Sequence, residues 1–222
     1  MAAGDITTSL LSELGIRLED ADKVKFTDAL KLQALNNSQK IMANLLNSAY
    51  LTELENIDSA VDASTGSILL SALNGGESIL RGGEGIVKIQ VTISATDIWS
   101  TEIELSDIKR TENSFLSGTD TNPLHYIFSS TINFLVTTIA GMTADVYYLT
   151  EPTEITADID PILNLSLHSI LLDLAEAYCW SIDDKAARGE NANSAGMLMI
   201  KNLNVVFQPA KGVGTNNQKG GN

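Results

Sequence analysis

Chemistry-bearing side chains are scarce in this sequence, which holds one cysteine, two histidines, four prolines and 5% aromatic residues. A single cysteine excludes an internal disulfide, and Cys179 sits in an apolar run at helical spacing, where a small buried hydrophobe is the expected role. With only His125 and His168, and no short-spaced His or Cys pair, a zinc site has no ligand set. Cations are short as well: 14 Lys and Arg face 28 Asp and Glu, for a net charge of -14. Gripping a duplex needs clustered cations that displace counterions, so this balance argues against nucleic-acid binding. No window reaches the roughly 18 apolar residues of a membrane span. The best, 165–180, is interrupted by Ser166, His168, Ser169, Asp173 and Glu176. The start, MAAGDITTSLLSEL, lacks the basic and apolar regions of a secretory signal, so a protein kept in the cytoplasm until assembly or release is expected.

What is present is an ordinary core and a polar, weakly charged surface. Apolar residues make up 44% of the chain, enough to bury a core, while charged residues reach only 19%. Charge is segregated along the chain. Between Thr111 and Asp184 there is no Lys or Arg, whereas residues 191–222 carry Lys201, Lys211 and Lys219 and no acid. One reading is an acidic domain with a solvated tail; a sharper one is an acidic face with a tail that docks elsewhere.

Periodicity divides the chain into three stretches. Leu32, Leu35, Met42 and Leu46 recur at helical steps with Gln39 in the skipped turn, and Phe26, Leu30, Ile41 and Leu45 form an adjoining stripe, so one broad helix face must pack. Asp20 or Asp22 is expected to cap this helix; a shorter one, Ile6 to Leu14, should stop at Gly15, and Tyr50 to Ile57 should continue the helical layer. From Val61 the composition turns to Ser, Thr, Gly and β-branched residues. GIVKIQVTI alternates at Val87, Ile89, Val91 and Ile93, and DIWSTEIEL, INFLVTTI and GMTADVYYL read as further strands. The Gly pairs of NGGESILRGGEG, Asn74 to Gly85, suggest a mobile hairpin or plain turns. After Pro161, Leu163, Leu167, Ile170, Leu171, Leu174, Tyr178 and Ile182 restore helical spacing, and a final helix follows. The expected fold is α+β: a helical bundle from residues 1–60 and 160–204, an inserted β lobe over 61–159, and an extended C-terminal arm over 205–222.

Catalytic constellations are hard to assemble from these residues. His168 shares a helix face with Leu171 and Leu172 and reads as a packed residue; His125 lies in a turn beside Pro123 and Tyr126. ITADIDP and SIDDK read as helix-boundary charge, since acids are favourable ahead of a helix start. The Gly pairs lack the Lys-Ser or Lys-Thr of a phosphate loop, and no calcium-loop spacing occurs. No enzyme activity, cofactor or metal is expected.

The order of segments carries a resemblance. A helical LNNSQKIMANLL start is followed by a strand-rich middle with SILRGGEGI, IWSTEIELSDIKRTENSFL and NPLHYIFSSTINFL. ADVYYLTEPTEI and the helix LSLHSILLDLAEAYCW then lead to a last helix. Over roughly residues 10 to 205 this pattern resembles the head-to-tail adaptor proteins of tailed phages. The NP-x-x-Y turn, the VYYL-x-x-P strand exit and the H-x-x-LL-x-x-A-x-A helix are its most specific parts. The resemblance implies a virion subunit that forms a ring, commonly twelve-fold, below the portal protein, receives tail proteins and lets DNA pass without specific binding. It implies a portal-binding arm carrying Val205, Val206, Phe207, Lys211 and Lys219, and a tail-facing loop carrying Gly75, Gly76, Arg81, Gly82 and Gly83. The chain departs from more basic members by its acidity. Alternatives are another neck or tail-completion (stopper) protein, a virion-associated cell-wall hydrolase, and a generic α+β binding module.

Overall fold

The computed structural model describes residues 4–20, 22–112, 117–183 and 185–206. Among the described residues four α-helices flank a run of strands: α1 (Asp5–Arg17) and α2 (Asp28–Leu45) before it, α3 (His168–Ile182) and α4 (Ala186–Val206) after it. The strands are β1 (Glu55–Asp62), β2 (Ser67–Leu69), β3 (Ile86–Ile93), β4 (Thr96–Glu102), β5 (Leu124–Phe128), β6 (Thr131–Leu135) and β7 (Thr143–Leu149).

The expected architecture, a helical bundle with an inserted lobe, is corrected by the sheet. All seven strands join one mixed sheet in the order β1-β7-β3-β4-β5-β6-β2, antiparallel except for the parallel β4–β5 pair. The first and last strands of that order are neighbours in sequence, joined by residues 63–66 alone. A flat sheet of this size would hold its edges about 29 Å apart. The connection reaches at most about 18 Å. The sheet therefore curls into a nearly closed barrel, with Ala63 N–H donating to Met142 O and Phe134 N–H to Gly66 O at the seam. It encloses its own core of Ile68, Ile89, Val91, Ile132, Val146 and Tyr148.

Several local expectations change for physical reasons. Glu55 to Ile57 are strand, paired with Leu149 to Tyr147, and the residues before them form two 3-10 turns, Ser48–Tyr50 and Thr52–Leu54. The alternation in β3 holds from Ile89 to Ile93, but Val87 is exposed, because the register with β7 slips between Ile86 and Lys88 and an extra residue reverses side-chain parity. Thr27, not Asp20 or Asp22, caps α2 by accepting from Leu30 N–H at 3.3 Å. Asp20 instead accepts from the N–H groups of Val24, Lys25 and Phe26 and closes the preceding turn. Helix α1 runs through Gly15 to Arg17. Asp160 serves α1, not the helix that follows it: it accepts from Thr7 N–H at 2.8 Å, a bond that holds its carboxyl below the usual range.

The helices share a second core, in which Leu35, Met42, Leu46, Leu167, Leu171 and Leu174 are buried and Leu32 packs from the side. Phe26 meets Trp180 edge-on at 5.5 Å. Two amides on α2, the half-buried Asn36 and the buried Gln39, bind the extended chain between β7 and α3. Asn36 exchanges two hydrogen bonds with the Ile155 backbone, and Gln39 donates to Thr153 O at 2.8 Å and accepts from Ile162 N–H at 3.2 Å.

Candidate interaction surface

The two groups of residues singled out in the sequence meet, in part, at the C-terminal end of α2. A helix end leaves carbonyls without intrahelical donors. Here they are taken up from two directions. Arg81 donates through Nε to Ala43 O at 3.1 Å and through Nη2 to both Ala43 O and Leu46 O. Burial draws its guanidinium below its ordinary pKa, against the pull of Glu84. From the other side Asn204 of α4 donates to Leu45 O and accepts from Asn47 N–H, each at 2.7 Å.

Arg81 thus belongs to a strap rather than to a hairpin. Leu80 N–H donates to Leu149 O, Ile79 bridges Thr150, and Asn74 N–H donates to Asp58. Gly75 and Gly76 lie in a 3-10 turn with positive φ, and a Cβ at Gly75 would meet nothing within 4 Å. Gly82 and Gly83 begin a second turn, where a Cβ on Gly83 would sit 2.8 Å from Ile127 Cγ2. Val205 and Val206 end α4, 59% and 72% exposed, next to the anchor at Asn204. Phe207, Lys211 and Lys219 lie outside the described residues.

Along α4 the surface is apolar and open. Gly189 and Gly196 face α3, where an added Cβ would come within 3.2 Å of Ala177 O and 3.0 Å of Leu174 Cδ2, so small residues set the close approach of the two helices. Two grooves run beside this contact. One, of about 460 Å³, lies among Ile41, Leu174, Tyr178 and Gly189; the next, of about 290 Å³, among Leu45, Met197, Ile200 and Val205. Ile41 and Leu45, expected to share the packed face of α2, are 43% and 42% exposed here.

The histidines take structural positions. His125, the second residue of β5, is 3% exposed, with Nδ1 2.8 Å from Ser100 Oγ on β4 and its ring 6.3 Å from Phe134. Ser100 Oγ also lies 3.3 Å from Pro123 O; a hydroxyl donating there accepts from Nδ1–H, and the pair then ties the parallel strands together. Burial pushes His125 down to about 4. His168, 8% exposed, holds Leu163 O with Nε2 at 3.1 Å, and burial raises the Cys179 thiol to about 11. Among the described residues no group of His, Cys, Asp and Glu is placed to hold a metal ion, and no helix is long and apolar enough to cross a membrane.

Asn36 and Asn204 belong to no sequence motif, and Gln39 reads in the sequence only as a gap in an apolar stripe. Asn36 and Gln39 fall at helical spacing beside Leu35 and Met42, and that placement of amides on a packed face is the signal that marks them. Comparison of the chain with protein-family models and with curated proteins finds no match.

Proposed function

We propose that this chain is a structural subunit of a tailed-phage virion, the head-to-tail adaptor, which closes into a ring of commonly twelve copies beneath the portal and receives the tail. The segment order set out above supports this reading, and α4 is the observation that carries it. Of its 21 residues only Gly189, Gly196 and Ile200 are buried, while Met197, Leu198, Met199, Val205 and Val206 are exposed. Helices this short of packing gain little from propensity alone and are stabilised by a further surface. The occupant is a second copy. Two molecules of net charge -14 repel, and residues 191–200, NANSAGMLMI, hold no charge, so copies meet there at the least electrostatic cost. The same acidity suits a conduit that DNA crosses without being gripped. The root of the C-terminal segment is anchored beside this face by Asn204, which suits an arm continuing from Val205 onto the portal or a neighbour.

Sedimentation measurements on the full chain, alone and mixed with portal rings, test the reading. The wild type is expected to assemble into closed oligomers, and Met197→Glu or Leu45→Glu to leave monomers with a melting temperature within a few degrees of wild type, since both side chains are surface-exposed. A wild-type protein that stays monomeric under both conditions overturns it.

A further inference from the structure

A stripe of large side chains crosses the outside of the barrel. Ile57, Tyr147 and Lys88 are register partners on β1, β7 and β3, and Trp99 on β4 pairs with Gln90, one pleat further along β3. Side chains alternate along a strand, and Ile89, Val91, Val146 and Tyr148 take the interior, so the stripe points outward. The Trp99 and Tyr147 rings lie 5.8 Å apart, and the Lys88 ammonium sits over both, 4.9 Å and 4.4 Å from their centroids. That contact fixes the rings on the surface without burying them: Trp99 is 50% exposed and Ile57 39%. The same alternation places Glu55, Asp145 and Asp97 on this face, two residues from Ile57, Tyr147 and Trp99, so acids outnumber Lys88 at the rim.

Charge runs the other way on α4. From residue 191 to its end at Val206 the helix holds Lys201 and no acid. Leu198, Lys201 and Val205 share one exposed edge at helical spacing, with Met197 and Met199 beside it. The barrel stretch, residues 55–149, carries twelve Asp and Glu against four Lys and Arg. An aromatic face rimmed by acid and an aliphatic face around a lysine are complementary in charge, and methionine packs favourably on aromatic rings. Pairing either face with its own copy sets like charge against like.

We propose that the Trp99–Tyr147 stripe is the second half of the contact between copies and receives α4 of the neighbouring molecule. The proposal rests on the ring reading, which calls for such a surface: a patch that pairs with itself stops at a dimer, whereas a ring of more copies needs two different surfaces on each subunit. Met197, Leu198 and Met199 cover Ile57, Tyr147 and Trp99 as the dry centre, and Lys201 meets the acidic rim.

Sedimentation of full-length Trp99→Glu and Met197→Glu, singly and mixed, tests the contact, with acrylamide quenching of tryptophan fluorescence as a second readout. Trp180 is 2% exposed, so quenching reports on Trp99. Ile57→Glu takes the place of Trp99→Glu if that variant does not fold. Each variant alone is expected to be monomeric. Their equimolar mixture, well above the concentration at which wild type assembles, is expected to give a species of twice the chain mass and none larger, since one intact stripe and one intact α4 remain between them. In wild-type assemblies the quenching seen in the Met197→Glu monomer is expected to be lost. Closed wild-type oligomers that still quench like the monomer, or a Trp99→Glu variant that assembles like wild type, overturn this contact and leave the ring reading standing. Chains that lengthen with concentration and never close, with Trp99 shielded and the mixed pair dimeric, overturn the ring and keep the contact. A mixture that stays monomeric overturns the contact, and a wild type that also stays monomeric overturns both.

Discussion

Buried and half-buried polar side chains define this protein at the scale of single residues. Gln39 and Asn36 replace water around backbone groups of the 153–162 segment, and each leaves an orphan inside the fold if truncated. His125 is the residue whose burial has a pH signature. Its folded-state value of about 4 lies below the 6.5 of an unperturbed histidine, so the unfolded chain takes up the proton first as pH falls. The stability held by the neutral ring is thus complete above pH 6.5 and is lost progressively down to about pH 4, in total about 3 kcal/mol. Urea titrations between pH 7 and 4 are expected to show this loss in the wild type and a shallower one in His125→Phe. Equal slopes would place His125 in contact with water.

Elements are held by their ends. The last turn of α2 is capped by the strap and by α4 together, so Arg81 joins helix to barrel more than it decorates a loop. Arg81→Met keeps the aliphatic stem and removes the donors, and should cost about 2 kcal/mol while speeding amide exchange in the last turn of α2. Exchange that rises evenly along the helix would mean the cap is not local. At this scale the sequence was readable where neighbours set the outcome. The stripe of Leu35, Met42 and Leu46 and the alternation of Ile89, Val91 and Ile93 were legible, because both repeat within a turn or a pleat. Glu55 to Ile57 was misread as helix because its strand state comes from β7, some ninety residues away. Arg81 was legible as a singular residue in a Gly-rich segment, but not as a cap.

Two cores make up the whole molecule, one inside the barrel and one among the helices. Adjacent residues stitch them: Ile79 packs in the first and Leu80 in the second. Wild-type protein is expected to melt in one transition, and the Ile79→Ala, Leu80→Ala double variant to split or broaden it, with a loss of about 2–5 kcal/mol for each truncation. A double variant that melts as sharply as the wild type would show that the β1 and β7 contacts couple the cores without the strap. Composition and periodicity by themselves determined that the chain carries helices at both ends, strands between and an excess of acid. Tertiary structure alone decided that the sheet curls shut, that Arg17 and Lys25 supply the cations which Asp173 and Asp183 lack in their own stretch, and that α4, packed on α3 along one side, leaves most of its surface open. The reason is physical: periodicity is written by residues within a few positions of each other, whereas closure, ion pairing and burial depend on segments brought together from a hundred residues apart.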